Sequence, residues 1–504
     1  MVLKKPMECI FILDIGTTNI KLTLHDKTGI IKHLEKELNP IEYRMNGRVE
    51  LDAWELRRKV LSLLKRMANF ADENRWKPVA LGITSSRSSV LPIDKDKLPL
   101  TPFLMWQDKR ASNLCEQMGE SNAFVYHQSG LPISPVFSAI KMRYLLECAG
   151  IEAHQCAKLI GIQDYLIYCL TGKFVTDYTF AGRTNLFNLS EFSWDKDLLE
   201  LFGIKREQLC DIVSPGHICG SINKDVIDKT GLPQGVLVIS AGGDQQCSAI
   251  GNGVITIGTM HCNVGTGAYL ITITDKANLD ENMRFFCNPG IIPGTYILEA
   301  GLQTGGGLVS IIIDWLFNDY PREERYHKVD EIIMKTCPNP NGPIVLPHLS
   351  GSGCPHWDPS DKGVLYDFST ETKREDIARA ALESIALELV ENFDVMQGEL
   401  TQPEDKIHIA GGMTNMVCFN QIMADVFNVD LILLGDEQAT ARGAWMTTAV
   451  SIELFPNYRR AYTSSVEMVH SSIIPPKPKN VPIYNRLLEK RKRLYSLVHQ
   501  MSLF

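Results

Sequence analysis

Residues 9–25 read CIFILDIGTTNIKLTLH. An apolar run from Cys9 to Leu13 ends in Asp14-Ile15-Gly16-Thr17-Thr18 and leads straight into a second alternating run, the pattern of two strands joined by a tight turn. Glycine in such a turn permits positive φ and lets backbone N–H groups approach an anion, while threonine hydroxyls donate to phosphate oxygens. Asp14 adds a carboxylate suited to Mg²⁺. Taken alone, DIGTT is also an ordinary hairpin turn. Recurrence argues for more: residues 260–274 read MHCNVGTGAYLITIT, and Gly265 and Thr266 repeat Gly16 and Thr17 at an offset of 249 (265 minus 16). Asn263 stands where Asp14 stood, so one turn carries a metal-binding carboxylate and the other only hydrogen bonds. The repeat predicts a duplicated nucleotide-binding core whose two turns face each other across a gap.

The chain is 504 residues long, more than one core usually supports, so two large domains are expected. The boundary follows from the repeat and falls between Gly243 and Gly258. Residues 1–246 then form a sugar-binding domain with the metal and phosphate loop, and residues 247–504 a nucleotide-binding domain ending in a helix. A net charge of −8 gives no electrostatic reason to bind nucleic acid, and no run of five like charges forms a basic patch. No apolar stretch is long enough to span a membrane, and Cys9 to Leu13 is too short for a signal sequence. Thirteen cysteines without a CxxC pair argue for reduced thiols in the cytosol, hence a cytoplasmic location, and against structural zinc.

Strands and helices alternate along the chain, which is α/β organisation. A helix is expected over Leu51 to Ala71, opened by Asp52, followed by a buried strand over Val79 to Thr84. Lys158 to Gly172 reads as helix with Gly172 as its stop. Val236 to Ala241 reads as a strand running into the loop Gly242-Gly243-Asp244-Gln245-Gln246. Glu375 to Gly398 has the apolar spacing of a long packing helix. Lys406 to Ala410 is a short strand meeting Gly411-Gly412, the kind of strand end where nucleotides sit. After the proline-rich stretch 475–482, Tyr484 to Val498 reads as a charged helix on the surface.

The chain contains no G-x-x-x-x-G-K-[ST] loop, no complete G-x-G-x-x-G, no HExxH and no G-x-S-x-G. Phosphoryl transfer needs a phosphate cradle, a metal and a group that accepts the attacking hydroxyl's proton. Asp14, the two threonine-bearing turns and Asp244 fill those parts, although a Gly-Gly-Asp loop also serves as a plain turn.

With these residues in view, the chain resembles the FGGY carbohydrate kinases. The resemblance rests on DIGTTNIK at 14–21, GITSSR at 82–87, MWQDKR at 105–110, DYTFAGRTNLFNL at 177–189, GGDQQ at 242–246, VGTG at 264–267, GCPHWDPSDKG at 353–363, RAALESIA at 379–386 and AGGM at 410–413. It implies duplicated actin-like ATPase (ribonuclease H-like) domains flanking a deep cleft, ATP and Mg²⁺ as cofactors, and a small sugar or polyol as substrate; a homodimer is compatible with it. By position, it implies Asp244 as catalytic base and Asp14 with Asp244 as the metal set. Gly16, Thr17, Thr18, Lys21, Gly265 and Thr266 would contact phosphates, and Gly306, Gly411 and Gly412 would line the ADP site. Arg87, Ser88, Trp106, Val136, Gln245 and Tyr269 fall on sugar-contacting positions. Arg87 is otherwise a surface charge and Trp106 otherwise core packing.

Several motifs are most similar to those of glycerol kinases, whereas the helix after PKPKNVPIYNRL is similar to that of ketopentose kinases. Ser88 and Val136 stand where glycerol kinases carry an acid and a tyrosine, Tyr144 replaces a tryptophan, and Asp367 occupies a usual glycine. Loss of a carboxylate and a phenol leaves room in the pocket and predicts a substrate larger than glycerol, a ketose of about five carbons. Glycerol or another polyol or aldonate, and a non-catalytic nucleotide-gated binding protein, are the alternatives.

Overall fold

The computed structural model describes residues 6–502 apart from 152–153, 350, 359, 401–405, 436–437 and 468. The outer ends of the two expected domains, and Pro359 of the 353–363 stretch, lie outside the described residues. The opening hairpin forms as its pattern predicts. β1 (Met7–Ile15) and β2 (Asn19–His25) pair antiparallel, with Phe11, Ile12 and Leu13 fully buried, and β3 (Ile31–Leu38) continues the meander. Asp52 caps α1 (Ala53–Glu73) by accepting from the Glu55 N–H, and β4 (Trp76–Ser85) then lies parallel to β1. After α2 (Ile162–Thr171) come β5 (Ile218–Ser221) and β6 (Leu237–Ser240), giving a sheet of order β5-β6-β4-β1-β2-β3 that feeds α3 (Asp244–Gly251).

The second half repeats the plan. β7 (Met260–Val264), β8 (Ala268–Thr274), β9 (Phe286–Pro289) and β10 (Tyr296–Leu302) precede α4 (Gly306–Leu316) and α5 (Arg374–Gln397). β11 (Lys406–Ala410), α6 (Val417–Phe427), β12 (Asp430–Leu434), α7 (Ala439–Ser451), β13 (Ser471–Ile474) and α8 (Val481–Ser502) complete it. The sheet order is β9-β10-β8-β7-β11-β12-β13. β3-β2-β1-β4-β6 and β10-β8-β7-β11-β12 agree strand for strand in order and direction. The register agrees too: Asp14 lies beside Thr84 of the parallel neighbour, and Asn263 beside Ala410. The duplication read from the two turns therefore extends through both sheets.

Each sheet has its own apolar core, and a third cluster joins them. α7 packs behind the first sheet, where Trp445 belongs to the same apolar cluster as Ile10 and Ile12, and it also crosses α3. The crossing is so close that a Cβ on Gly443 would lie 1.9 Å from the Cys247 carbonyl oxygen, and one on Gly251 1.9 Å from that of Ala439. Only glycine fits at these two points.

Three local readings change. Lys158–Ile160 is a strand paired with Leu91–Ile93, not the first turn of a helix, and α2 starts only after Gly161. Apolar side chains in so short a run suit either state, and pairing decided it. Asp244 is the first residue of α3 rather than part of a free loop. α8 is not merely superficial: Tyr484, Leu487 and Arg491 are buried. Arg491 donates to Glu388 and Glu391 of α5, and the Tyr484 hydroxyl donates to Glu383 at 3.0 Å. The charges that read as a solvated face are partners for an acidic stripe on a helix about a hundred residues away. Among the described residues, no helix is long and apolar enough to cross a membrane.

Gly443→Ala is expected to lower stability by about 2 kcal/mol or more, because overpacking of this order at a fixed backbone contact has no flexible side chain to give way. Thermal unfolding of the variant will show it as a fall in Tm of several degrees; an unchanged Tm would mean that the helices do not meet at this point.

Candidate active site

The β1–β2 turn is closed by the Gly16 N–H donating to the Asn19 carbonyl, and Asn39 Nδ2 donates to the Gly16 carbonyl at 2.7 Å. Trp106 Nε1 donates to Thr17 Oγ1 at 3.3 Å, so a residue expected at the sugar and one expected at phosphate meet here. Asp14 is buried, and its Oδ1 has no hydrogen-bond partner. Burial pushes its carboxyl up to about 7, the nearby Asp244 charge adds to the rise, and Lys21 opposes it. A buried, unpartnered carboxylate oxygen beside a second carboxylate is chemically suited to a hard divalent cation.

Asp244 stands at the N-terminus of α3, where the helix dipole favours negative charge. Its Oδ1 accepts from the Gln245 N–H at 2.8 Å and lies 3.6 Å from Arg87 Nε. Burial raises its pKa, against the pull of Arg87. The loop is held from behind: Thr179 Oγ1 accepts from the Gly243 N–H and donates to Asp177, which also accepts from Gln163 and Ser240. The DYT motif of the sequence is thus a buttress for the Asp244 loop.

Arg87 is buried, and the adjacent Ser88 has φ +66°, a left-handed conformation costly for any residue with a side chain. Arg87 Nη1 and Nη2 donate to the two oxygens of Glu299 on β10, at 3.0 and 3.3 Å. Arg183 Nη1 lies 3.4 Å from the same carboxylate, with its guanidinium over the Phe137 and Phe286 rings. Although burial alone would raise it, the pKa of Glu299 is lowered by Arg183 and Arg87. Burial lowers Arg183 to about 10. Tyr269 lies on the face of the second sheet that carries Glu299, its ring packed over Gly301. Val136 joins an apolar wall with Leu131, Phe137, Phe286 and Trp357, and Lys141 holds that segment by donating to the carbonyls of Pro135, Val136 and Phe137. Gln245 Oε1 is buried without a partner.

The glycines of the other half converge as well. The Gly306 N–H donates to the Gly265 carbonyl at 2.8 Å and that of Gly305 to the Thr266 carbonyl, which seats the second turn on the N-terminus of α4. Gly411, at φ +100°, would drive a Cβ to 2.6 Å from Asn263 Oδ1. Nothing lies within 4 Å of a Cβ on Gly265 or Gly412. Backbone N–H groups, a helix N-terminus and open space are the makings of a phosphate cradle.

The structure therefore gathers Asp14, Asp244 and Arg87 at the C-terminal ends of β1, β6 and β4. Sequence reasoning passed over Arg183 and Glu299. Arg183 lies within a quoted motif, and Glu299 is the lone charge in the apolar run YILEAGL, a signal that was present.

Residues 9–251 match the family model described as FGGY family of carbohydrate kinases, N-terminal domain, and residues 260–452 match its C-terminal domain. A glycerol kinase from Alkalilimnicola ehrlichii is 29% identical over 478 residues, covering 91% of this chain and 94% of that protein. A gluconokinase from Bacillus subtilis is 26% identical over 445 residues, covering 86% and 85%. Among solved structures, a ligand-bound xylulose kinase from Lactobacillus acidophilus superposes with a TM-score of 0.90 at 24% identity, covering 98% of this chain and 99% of that one. The Plasmodium falciparum glycerol kinase with ADP gives 0.87 at 22%, covering 99% of each. These likenesses show the fold, a duplicated actin-like α/β arrangement.

The Asp14 carboxyl, raised to about 7, favours the protonated folded state, so it costs stability as pH rises from its ordinary 3.8 through 7. Asp14→Asn should raise the metal-free Tm at pH 8 by several degrees, with the gain vanishing near pH 4. A gain that persisted there would mean that ionisation is not its cause.

Proposed function

Because the chain belongs to the FGGY family of carbohydrate kinases, we propose that it transfers the γ-phosphoryl of ATP to a primary hydroxyl of a small neutral sugar, with a ketopentose such as xylulose as the leading substrate. It is a carbohydrate kinase, an ATP-binding transferase of carbohydrate metabolism. The observation that carries the reading is the partly buried Asp244 carboxylate at the N-terminus of α3, 3.6 Å from Arg87 Nε and close enough to Asp14 to raise its pKa. Asp244 accepts the hydroxyl proton as the sugar oxygen attacks the phosphorus, and Arg87 and Gln245 orient neighbouring oxygens. Phosphates sit on the Thr17–Thr18 turn with Lys21 on one side and on Gly265–Thr266 on the other, with the nucleotide over Gly306, Gly411 and Gly412. Asp14 and Asp244 would hold Mg²⁺, which when bound neutralises phosphate charge.

Arg87 and Arg183 face Glu299 and Asp244, two positive groups against two negative ones, which supports a substrate without net charge. Ser88 and the apolar Val136 support a substrate larger than glycerol. The second reading is an aldonate, favoured by Arg183, whose Nε has no partner and whose Nη1 makes only an ion pair, a donor edge that suits a carboxylate.

ADP release measured with xylulose, gluconate and glycerol decides between them: xylulose is expected to give the highest kcat/KM, and a preference for gluconate or glycerol would replace the ketose assignment. Asp244→Asn should cut kcat by at least about 100-fold with sugar KM little changed, and near-normal turnover would reject Asp244 as base. In the parent enzyme, kcat/KM should fall as pH drops through the raised Asp244 pKa, placing the acidic limb above the ordinary aspartate value of 3.8.

A further inference from the structure

Glu299 and Asp244 both face Arg87, but from opposite sides of the cleft. Glu299 lies on β10 of the second sheet, 1% exposed, while Arg87 follows β4 of the first and Arg183 follows the DYT buttress. Two guanidiniums of one half thus share a single carboxylate of the other, over 212 residues of chain between Arg87 and Glu299. The sharing is unequal. Arg87 takes both oxygens in fork geometry, whereas Arg183 sits at ion-pair distance with Nε and Nη1 making no hydrogen bond. Buried guanidinium donors without partners are costly, and a ligand supplying oxygens at that point removes the cost. The neighbours agree: Tyr269 flanks Glu299 on the same sheet face, and Phe137 from one half and Phe286 from the other, in edge-to-face contact with each other, together give Arg183 an apolar wall.

We propose that Glu299 is a positioning residue for the sugar: from the second half of the molecule it holds Arg87 and Arg183 as a paired donor set, and the free Nε–H of Arg183 receives an oxygen of the substrate. The donor set is complete only when the two halves are together, so sugar affinity and closure are coupled through one carboxylate. This rests on the carbohydrate-kinase reading, but not on which sugar is used.

The test uses Glu299→Gln, Glu299→Asp and Arg183→Gln in the full-length enzyme, with xylulose, gluconate and glycerol as probes and saturating ATP. Glu299→Gln and Arg183→Gln should raise KM for the preferred probe by about tenfold or more, with kcat changed by no more than about threefold and the ATP KM unchanged. Glu299→Asp should recover part of the loss. A sugar KM within about twofold of the parent in both Gln variants overturns the proposal, as does an equal rise in the ATP KM, which marks a general structural defect. Small-angle scattering of sugar-free parent and Glu299→Gln needs no substrate: a larger radius of gyration in the variant is expected, and equal radii overturn the coupling. A parent enzyme that releases no ADP with any of the three probes would reject the choice of substrate, and the scattering comparison would still decide the role of Glu299.

Discussion

The contact on which the arrangement depends is the crossing of α3 and α7, where Gly251 and Gly443 bring two helix backbones together with no side chain between them. α3 begins with Asp244 and leads out of the first sheet, while α7 comes from the end of the second half and packs behind β1 and β4. Because both helices are pinned at this point, the carboxylate at the head of α3 is fixed relative to the turn after β1 and to the strand end at Gly411. A bulkier contact here would separate the groups by the width of a side chain, a distance larger than proton transfer tolerates.

From that geometry follows the electrostatics of the cleft. Asp14 is buried and Asp244 partly so, and they lie near each other, which is unfavourable for two anions and is relieved only in part by Lys21 and Arg87. A stable fold without a task would not be expected to keep such a pair. Around them, groups of opposite sign come from different halves of the molecule, Arg87 and Arg183 from one and Glu299 from the other. The cleft is thus a joint whose charges are balanced only across it.

The hairpin, its copy and the strand-end glycines were legible because each is local: a turn needs its own glycine and hydroxyls, and these recur at a fixed offset. The resemblance carried by those motifs extended the reading to Asp14, Asp244 and Arg87. Glu299 was not legible as a partner, since nothing in YILEAGL says that an arginine two hundred residues earlier will face it. Lys158 to Ile160 was misread because a short apolar run serves a strand or a helix until a neighbour pairs with it. The C-terminal helix was misread because Arg491 looks like a solvent-facing charge unless the acidic face of α5 is known to lie beneath it.

The order of residues by itself determined the duplicated strand–turn–strand design, the α/β alternation and the family, since backbone turns and strand periodicity are decided within a few positions of chain. Only the tertiary structure decided that Arg87 and Arg183 share Glu299, that α8 buries an arginine on α5, and that two glycines let α3 and α7 touch. Those are encounters between segments far apart in sequence. Their energies depend on distance, burial and packing, quantities that exist only once the chain has closed on itself.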